Sequence, residues 1–280
     1  MEIDFNEDNS LRANNRSAVS LNKAYQKTIF QMRRVEKFLG DFSFLSWGRN
    51  IILCGTYVFS LQTILQSSEL TIGNVISCCE HGCLADANTL LRKYRDDVFF
   101  YLYISVYDVY DKLKETEQAS KMRVNIERWL DDTLCNLNIS EVMRAIGESP
   151  QCEDAVKENH LKQIFESISD RLNNFVHSNG IDFYNKGVFS YKEDEMDKHL
   201  KILLEDIKII TVSFLFLLSI CEPFSISSTD YIDCMECGLT PIEGSQYWVA
   251  PFIEEFLKEN IGLIGENCLN YLRENISMKL

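Results

Sequence analysis

The chain has 280 residues, 46% hydrophobic and 25% charged, a globular composition long enough for a sizeable core and for one large domain or two ordinary ones. Its 42 Asp and Glu against 28 Lys and Arg leave a formal charge of −14, which excludes a general electrostatic grip on nucleic acid but not a local basic site. The acidic start lacks the basic and apolar regions of a secretory signal, and ten cysteines without small-scaffold spacing read as reduced thiols of a cytoplasmic protein.

Charge is uneven along the chain. Residues 1–10 carry four acids and no base and read as an acidic flexible tail, residues 11–49 carry eight bases against two acids, and residues 50–280 carry 36 acids against 20 bases. Within residues 11–49, Leu21, Tyr25, Ile29, Met32, Val35 and Leu39 recur at three- and four-residue steps. They predict a basic amphipathic helical segment with Arg16, Lys23, Lys27 and Arg34 on another face. That face is either a solvated surface or a contact for RNA or an acidic partner.

The run N-I-I-L-C-G-T-Y-V-F-S-L-Q-T-I-L-Q, residues 50–66, is too interrupted by polar residues for a bilayer span and predicts a buried helix. After S-S-E-L, a second helical segment is expected over residues 71–81. The aromatic-rich stretch 84–113 could read as strands, but Leu90, Leu91, Tyr94, Val98, Tyr101, Leu102 and Ser105 keep helical spacing. Residues 120–146 read as one or two shorter helices with Ser140 as a candidate N-cap, followed by a loop over residues 147–154 around Pro150. Helix resumes over residues 157–175 and stops at S-N-G, where Asn179 or Gly180 takes the left-handed conformation. A connection over 180–191 leads to a helix over 193–220 whose end is apolar on nearly all sides. Residues 222–250 predict a structured loop, and a last helix or helix pair begins near Pro251. The pattern is an all-α bundle of about eight to ten helices. It shows no βα alternation and no phosphate-binding glycine loop, which removes most nucleotide-cofactor enzymes.

The most informative segment is D-R-L-N-N-F-V-H-S-N-G, residues 170–180. Arg171 and His177 are six residues apart, so they stand about 120° apart around a helix, with Asn174 three residues from each. Arginine forks onto phosphate oxygens, and histidine moves protons near neutral pH. Together they suit metal-independent RNA cleavage, in which a 2′-hydroxyl loses its proton and attacks the adjacent phosphorus. One Arg and one His are few for that task, so two copies facing each other across a dimer axis make a more complete site.

An Arg, a short variable gap and a His near a helix end, in an acidic all-helical chain, resembles the HEPN superfamily, and the apolar helix over residues 200–220 is similar as well. The resemblance implies a metal-independent endoribonuclease of the toxin, abortive-infection or antiviral defence type, working as a homodimer without cofactor. Arg171 and His177 would be its catalytic pair, supported by Asn173 or Asn174, with RNA as substrate and an antitoxin or regulatory protein as a further partner. By the same resemblance residues 50–221 form the HEPN-like core, and residues 222–280 add a loop and a C-terminal helical segment packed on it. The alternative is a noncatalytic HEPN-like helical scaffold or regulatory module that binds a protein partner.

Two further constellations stand beside the motif. In L-L-R-K-Y-R-D-D, Arg92 with Asp96 and Lys93 with Asp97 make two (i, i+4) pairs beside Arg95. They are ordinary helix-surface pairs, or they brace the Arg171 helix or complete its site. Cys234 and Cys237 form a C-x-x-C that would be half of a zinc site, with Cys78, Cys79, His81 and Cys83 the available second half, but the spacing is not finger-like and no metal is expected. His160 and His199 read as structural or solvated. No segment has the length and purity of a membrane span.

Overall fold

The computed structural model describes residues 10–113, 116–131, 133, 138–177, 193–241, 248–276 and 278–280. Among them are twelve α-helices: α1 (Leu11–Leu21), α2 (Lys23–Leu45), α3 (Gln62–Glu80), α4 (Leu84–Leu113), α5 (Thr116–Leu130), α6 (Ile139–Gly147), α7 (Glu153–Glu158), α8 (Leu161–Val176), α9 (Glu193–Cys221), α10 (Thr229–Glu236), α11 (Pro251–Asn260) and α12 (Cys268–Asn275). The one sheet among the described residues is a two-stranded antiparallel hairpin, β1 (Ile51–Cys54) and β2 (Tyr57–Ser60). The chain is therefore an all-α, multi-helix protein. No helix among the described residues is long and apolar enough to cross a membrane.

The hairpin corrects the expected helix over residues 50–66. Gly55 takes φ +60° between Cys54 and Tyr57, the left-handed first position of a two-residue hairpin turn. The side chains of β1 then alternate, with Ile52 and Cys54 buried and Ile51 and Leu53 exposed. An apolar run of mixed periodicity had concealed a period of two. Helix α3 starts after the hairpin and runs unbroken through S-S-E-L, joining what were expected as separate segments.

Other boundaries move for local reasons. Asn22 breaks the expected single helix of residues 11–49: its side-chain oxygen accepts from the Tyr25 backbone N–H at 3.0 Å, capping α2. Leu21, expected on the buried stripe, is 80% exposed, while Tyr25, Ile29, Met32, Val35 and Leu39 are all buried. At α6 the cap is Asn138, not Ser140, because Asn138 and Glu141 form a reciprocal capping box. The helix expected over residues 157–175 is two, α7 and α8, divided at Asn159 and His160, where His160 has φ +52°. The region 222–250 contains α10, capped by Ser228. The expected stop at Asn179 or Gly180 and the connection 180–191 lie outside the described residues.

The chain forms two compact units, the first comprising residues 1–37, 69–94 and 166–207, the second residues 38–68, 95–165 and 208–280. In the first, the buried Tyr25 hydroxyl donates to the Cys79 carbonyl at 2.7 Å, joining α2 to the end of α3. In the second, Phe38 stacks on Phe256 with ring centroids 4.1 Å apart, and Tyr101 meets Phe214 edge-on at 5.3 Å. Residues 210–219 of α9 are all buried, and each large apolar side chain there contributes about 1.5–3 kcal/mol. The nine described cysteines are free thiols, with Cys152 and Cys221 of the second unit in Sγ contact at 3.0 Å.

Candidate functional site

Helix α8 buries Leu161, Phe165, Ile168 and Leu172 at steps of four, three and four, the stripe of an amphipathic helix. Leu172 belongs to that stripe and is fully buried, which puts Arg171 at its margin. From there the guanidinium reaches α9 within the same unit. Its Nε donates to Asp206 Oδ2 at 2.9 Å and its Nη2 donates to Oδ1, so the carboxylate is gripped by both oxygens. The Arg171 side chain is 38% exposed and that of Asp206 only 2%. The pair thus has one wet and one dry member. Of the five N–H donors of Arg171, three have no partner among the described residues.

Burial raises the Asp206 carboxyl above its ordinary value, and the Arg171 hydrogen bonds and charge pull it back down without cancelling the effect. Nothing in the segment D-R-L-N-N-F-V-H-S-N-G points to Asp206. The signal was present, since it stands between Leu203 and Ile207 on the buried face of α9, where a charge needs a counter-charge.

His177 lies just past the end of α8 and is exposed, and its backbone N–H donates to the Asn173 carbonyl at 3.0 Å. Its ring has no partner among the described residues. It stands about 9 Å along the helix axis from Arg171 and about 120° around it. Asn174, between them, is exposed. Asn173 has a buried side-chain oxygen with no hydrogen-bond partner. The end of α8 therefore carries an oriented cation, an exposed imidazole and two amides.

The second constellation divides between the units. Arg92 is half-buried on the first-unit part of α4. Arg95 and Asp96 belong to the second, where Arg95 is 2% exposed and forks onto a single Asp96 oxygen from Nε at 2.9 Å and Nη2 at 2.7 Å. In this adjacent pair the arginine is the buried member, the reverse of Arg171 and Asp206. Cys234 is half-buried and Cys237 exposed around the end of α10. No group of three or more His, Cys, Asp or Glu among the described residues is arranged to hold a metal ion.

No known protein family, curated protein or solved structure matches this chain. Its own residues carry the functional reading.

Proposed function

We propose that the protein is a HEPN-like, metal-independent endoribonuclease that works as a homodimer. One observation supports this above the others: Arg171 is held by a buried carboxylate while three of its N–H donors remain available, and His177 stands exposed on the same helix end. Asp206 fixes the guanidinium plane in advance, so little side-chain freedom is lost when a phosphate meets the remaining donors. In the reaction His177 takes the 2′-hydroxyl proton, and the oxygen attacks the adjacent phosphorus. Arg171 stabilises the charge that develops on the phosphoryl oxygens. The 5′-oxygen leaves with a proton, yielding a 2′,3′-cyclic phosphate and a 5′-hydroxyl end. Because Arg171 and His177 of one helix point about 120° apart, two copies related by a two-fold axis supply the acid and base that one copy lacks.

The ion pair itself favours a second reading, a noncatalytic helical module that binds a protein partner, because Asp206 already occupies one edge of the Arg171 guanidinium. RNA cleavage in EDTA separates the two. Cleavage by wild type and its loss in His177→Ala are the expected results; equal cleavage by both, or none from a confirmed dimer, rejects the nuclease.

A further inference from the structure

The first unit holds a second cationic edge, built by the start of the chain's helical part and the turn after α3. Ser10 caps α1 by accepting from the Ala13 N–H at 3.2 Å, and Arg12 and Arg16 follow one turn apart. At the end of α3 the Cys83 N–H returns to the Cys78 carbonyl at 2.8 Å and the Gly82 N–H to the Cys79 carbonyl at 2.9 Å. This is a Schellman termination. Gly82 has φ +70°, and a Cβ there would lie 3.0 Å from the Asn15 Cβ. The turn thus rests directly on α1, and His81 is delivered to the side of Arg12 and Arg16.

The result is a groove of about 400 Å³ lined, among the described residues, by Arg12, Ala13, Arg16, Ser17, Ser20 and His81, none of them a carboxylate. The His81 Nδ1 is 2.7 Å from the Ser77 carbonyl oxygen, which can only accept, so Nδ1 carries the proton and Nε2 is the free ring nitrogen. Arg12 and Arg16 are exposed, and neither has an ion-pair partner among the described residues. Of the neighbouring acids among the described residues, Glu80 is held by Arg33 at 2.5 Å, and Asp86, whose charge opposes that of Arg12 at the Cys78 and Cys83 thiols, does not line the groove. Two polar cavities of the second unit differ: in one the cations are already engaged, Lys112 with Asp108 and Arg49 with the Ser227 carbonyl, and in the other Glu117, Glu141 and Glu148 line the wall beside Lys121, Arg128 and Arg144. In a chain of charge −14, two guanidinium groups share a groove whose described lining holds no carboxylate.

We infer that this groove binds a phosphate group, with Arg12 and Arg16 on its non-bridging oxygens and the Ser17 hydroxyl and His81 ring beside them. Two forked cations one turn apart offer more donors than a carboxylate accepts, and they match the oxygens and charge of phosphate. Phosphate binding stands on these residues alone. Assigning the phosphate to an RNA strand rests on the proposed nuclease activity.

Two probes separate these sources: inorganic phosphate, followed through the His81 ring resonances, and a fluorescein-labelled oligouridylate whose 2′-hydroxyls are methylated so that it cannot be cleaved. In wild type, phosphate shifts the His81 resonances; in Arg12→Gln/Arg16→Gln it does not. The double variant also binds the methylated RNA about tenfold more weakly, and its slope of log affinity against log salt is shallower by about 0.7 for one lost phosphate contact. A His81 response to phosphate with unchanged RNA affinity upholds the groove and overturns the RNA assignment. Indistinguishable behaviour of wild type and double variant with both probes overturns the inference. Should wild type fail to cleave unmodified RNA while the double variant still loses binding, only the nuclease reading falls. If the double variant melts early, Arg16→Gln alone makes the same comparison from an exposed mid-helix position.

Discussion

The end of α8 and the exposed edge of α1 belong to the same unit, and each offers arginine to solvent, yet they differ in what stands behind the cation. Arg171 leans on Asp206, a carboxylate 2% exposed, whereas Arg12 and Arg16 have no anionic partner among the described residues. The first arrangement gives up net charge and gains direction, since the bidentate pair fixes the guanidinium plane. The second keeps its full charge and leaves its side chains free to move, at an entropic cost on binding of up to about 2 kcal/mol each. A fixed fork suits a step that depends on angle, and a loose pair suits attraction. One unit thus carries a positioned cation, as the proposed cleavage requires, and an unpositioned pair, as the inferred phosphate binding requires.

Substitution at His177 should have the largest effect. His177→Ala should lower the rate of RNA cleavage by roughly 10²–10⁴, the range for a lost general acid or base, and change stability by no more than about 0.5 kcal/mol because the ring is exposed. Single-turnover cleavage and thermal denaturation check the two halves. Next in size is Arg171→Met, which strands the Asp206 carboxylate in a dry position. Because Arg171 is itself partly solvated, the cost should be about 2–3 kcal/mol rather than that of a fully buried pair. Its pH dependence has a definite sign. The folded-state value of Asp206 already lies above its ordinary value of 3.8, so its favourable contribution is present below that value and is lost as pH rises through the folded-state value. Removing Arg171 raises it further. Urea denaturation should therefore show the deficit of the variant growing toward neutral pH and closing in acid, where the carboxyl is protonated. A deficit independent of pH would mean that packing, not the stranded charge, sets the cost.

What could be seen in the sequence follows from the range of the forces involved. Helix α4 was legible because Leu91, Tyr94, Val98, Tyr101 and Leu102 repeat at three and four residues and all are buried. The hairpin was not, because the turn at Gly55 lies inside a mostly apolar run and only the four residues of β1 alternate cleanly between buried and exposed. In N-I-S-E both Asn138 and Ser140 can cap a helix, and the reciprocal bonds of Asn138 with Glu141 decide for the first. Arg171 and His177 are close enough in sequence to be noticed together, but Asp206 is 35 residues from Arg171, and its role appears only once α8 and α9 pack. His81 was singled out for the cysteines around it, whereas the structure sets it beside Arg12 and Arg16, contributed by another helix. Periodicity reveals which face of a helix is buried; it does not reveal which two faces will share a charge.

Smaller effects sharpen the contrast at α1. Gly82→Ala forces a side chain into the left-handed region and toward the Asn15 Cβ, which should cost about 1–2 kcal/mol. If the turn is what holds His81 over the groove, the same variant should weaken the phosphate response of the His81 ring. The smallest change in stability is expected for Arg16→Gln. Its side chain is exposed and has no carboxylate partner among the described residues, so urea denaturation should place the variant within about 0.5 kcal/mol of wild type at any salt concentration. Set against Arg171→Met, that leaves a gap of about 2 kcal/mol between two helix arginines of the same unit. The gap measures the buried carboxylate, not the arginine. A loss at Arg16 as large as that at Arg171, and equally steep in pH, would mean that the α1 edge has an anionic partner of its own and that its charge is not free to meet a phosphate.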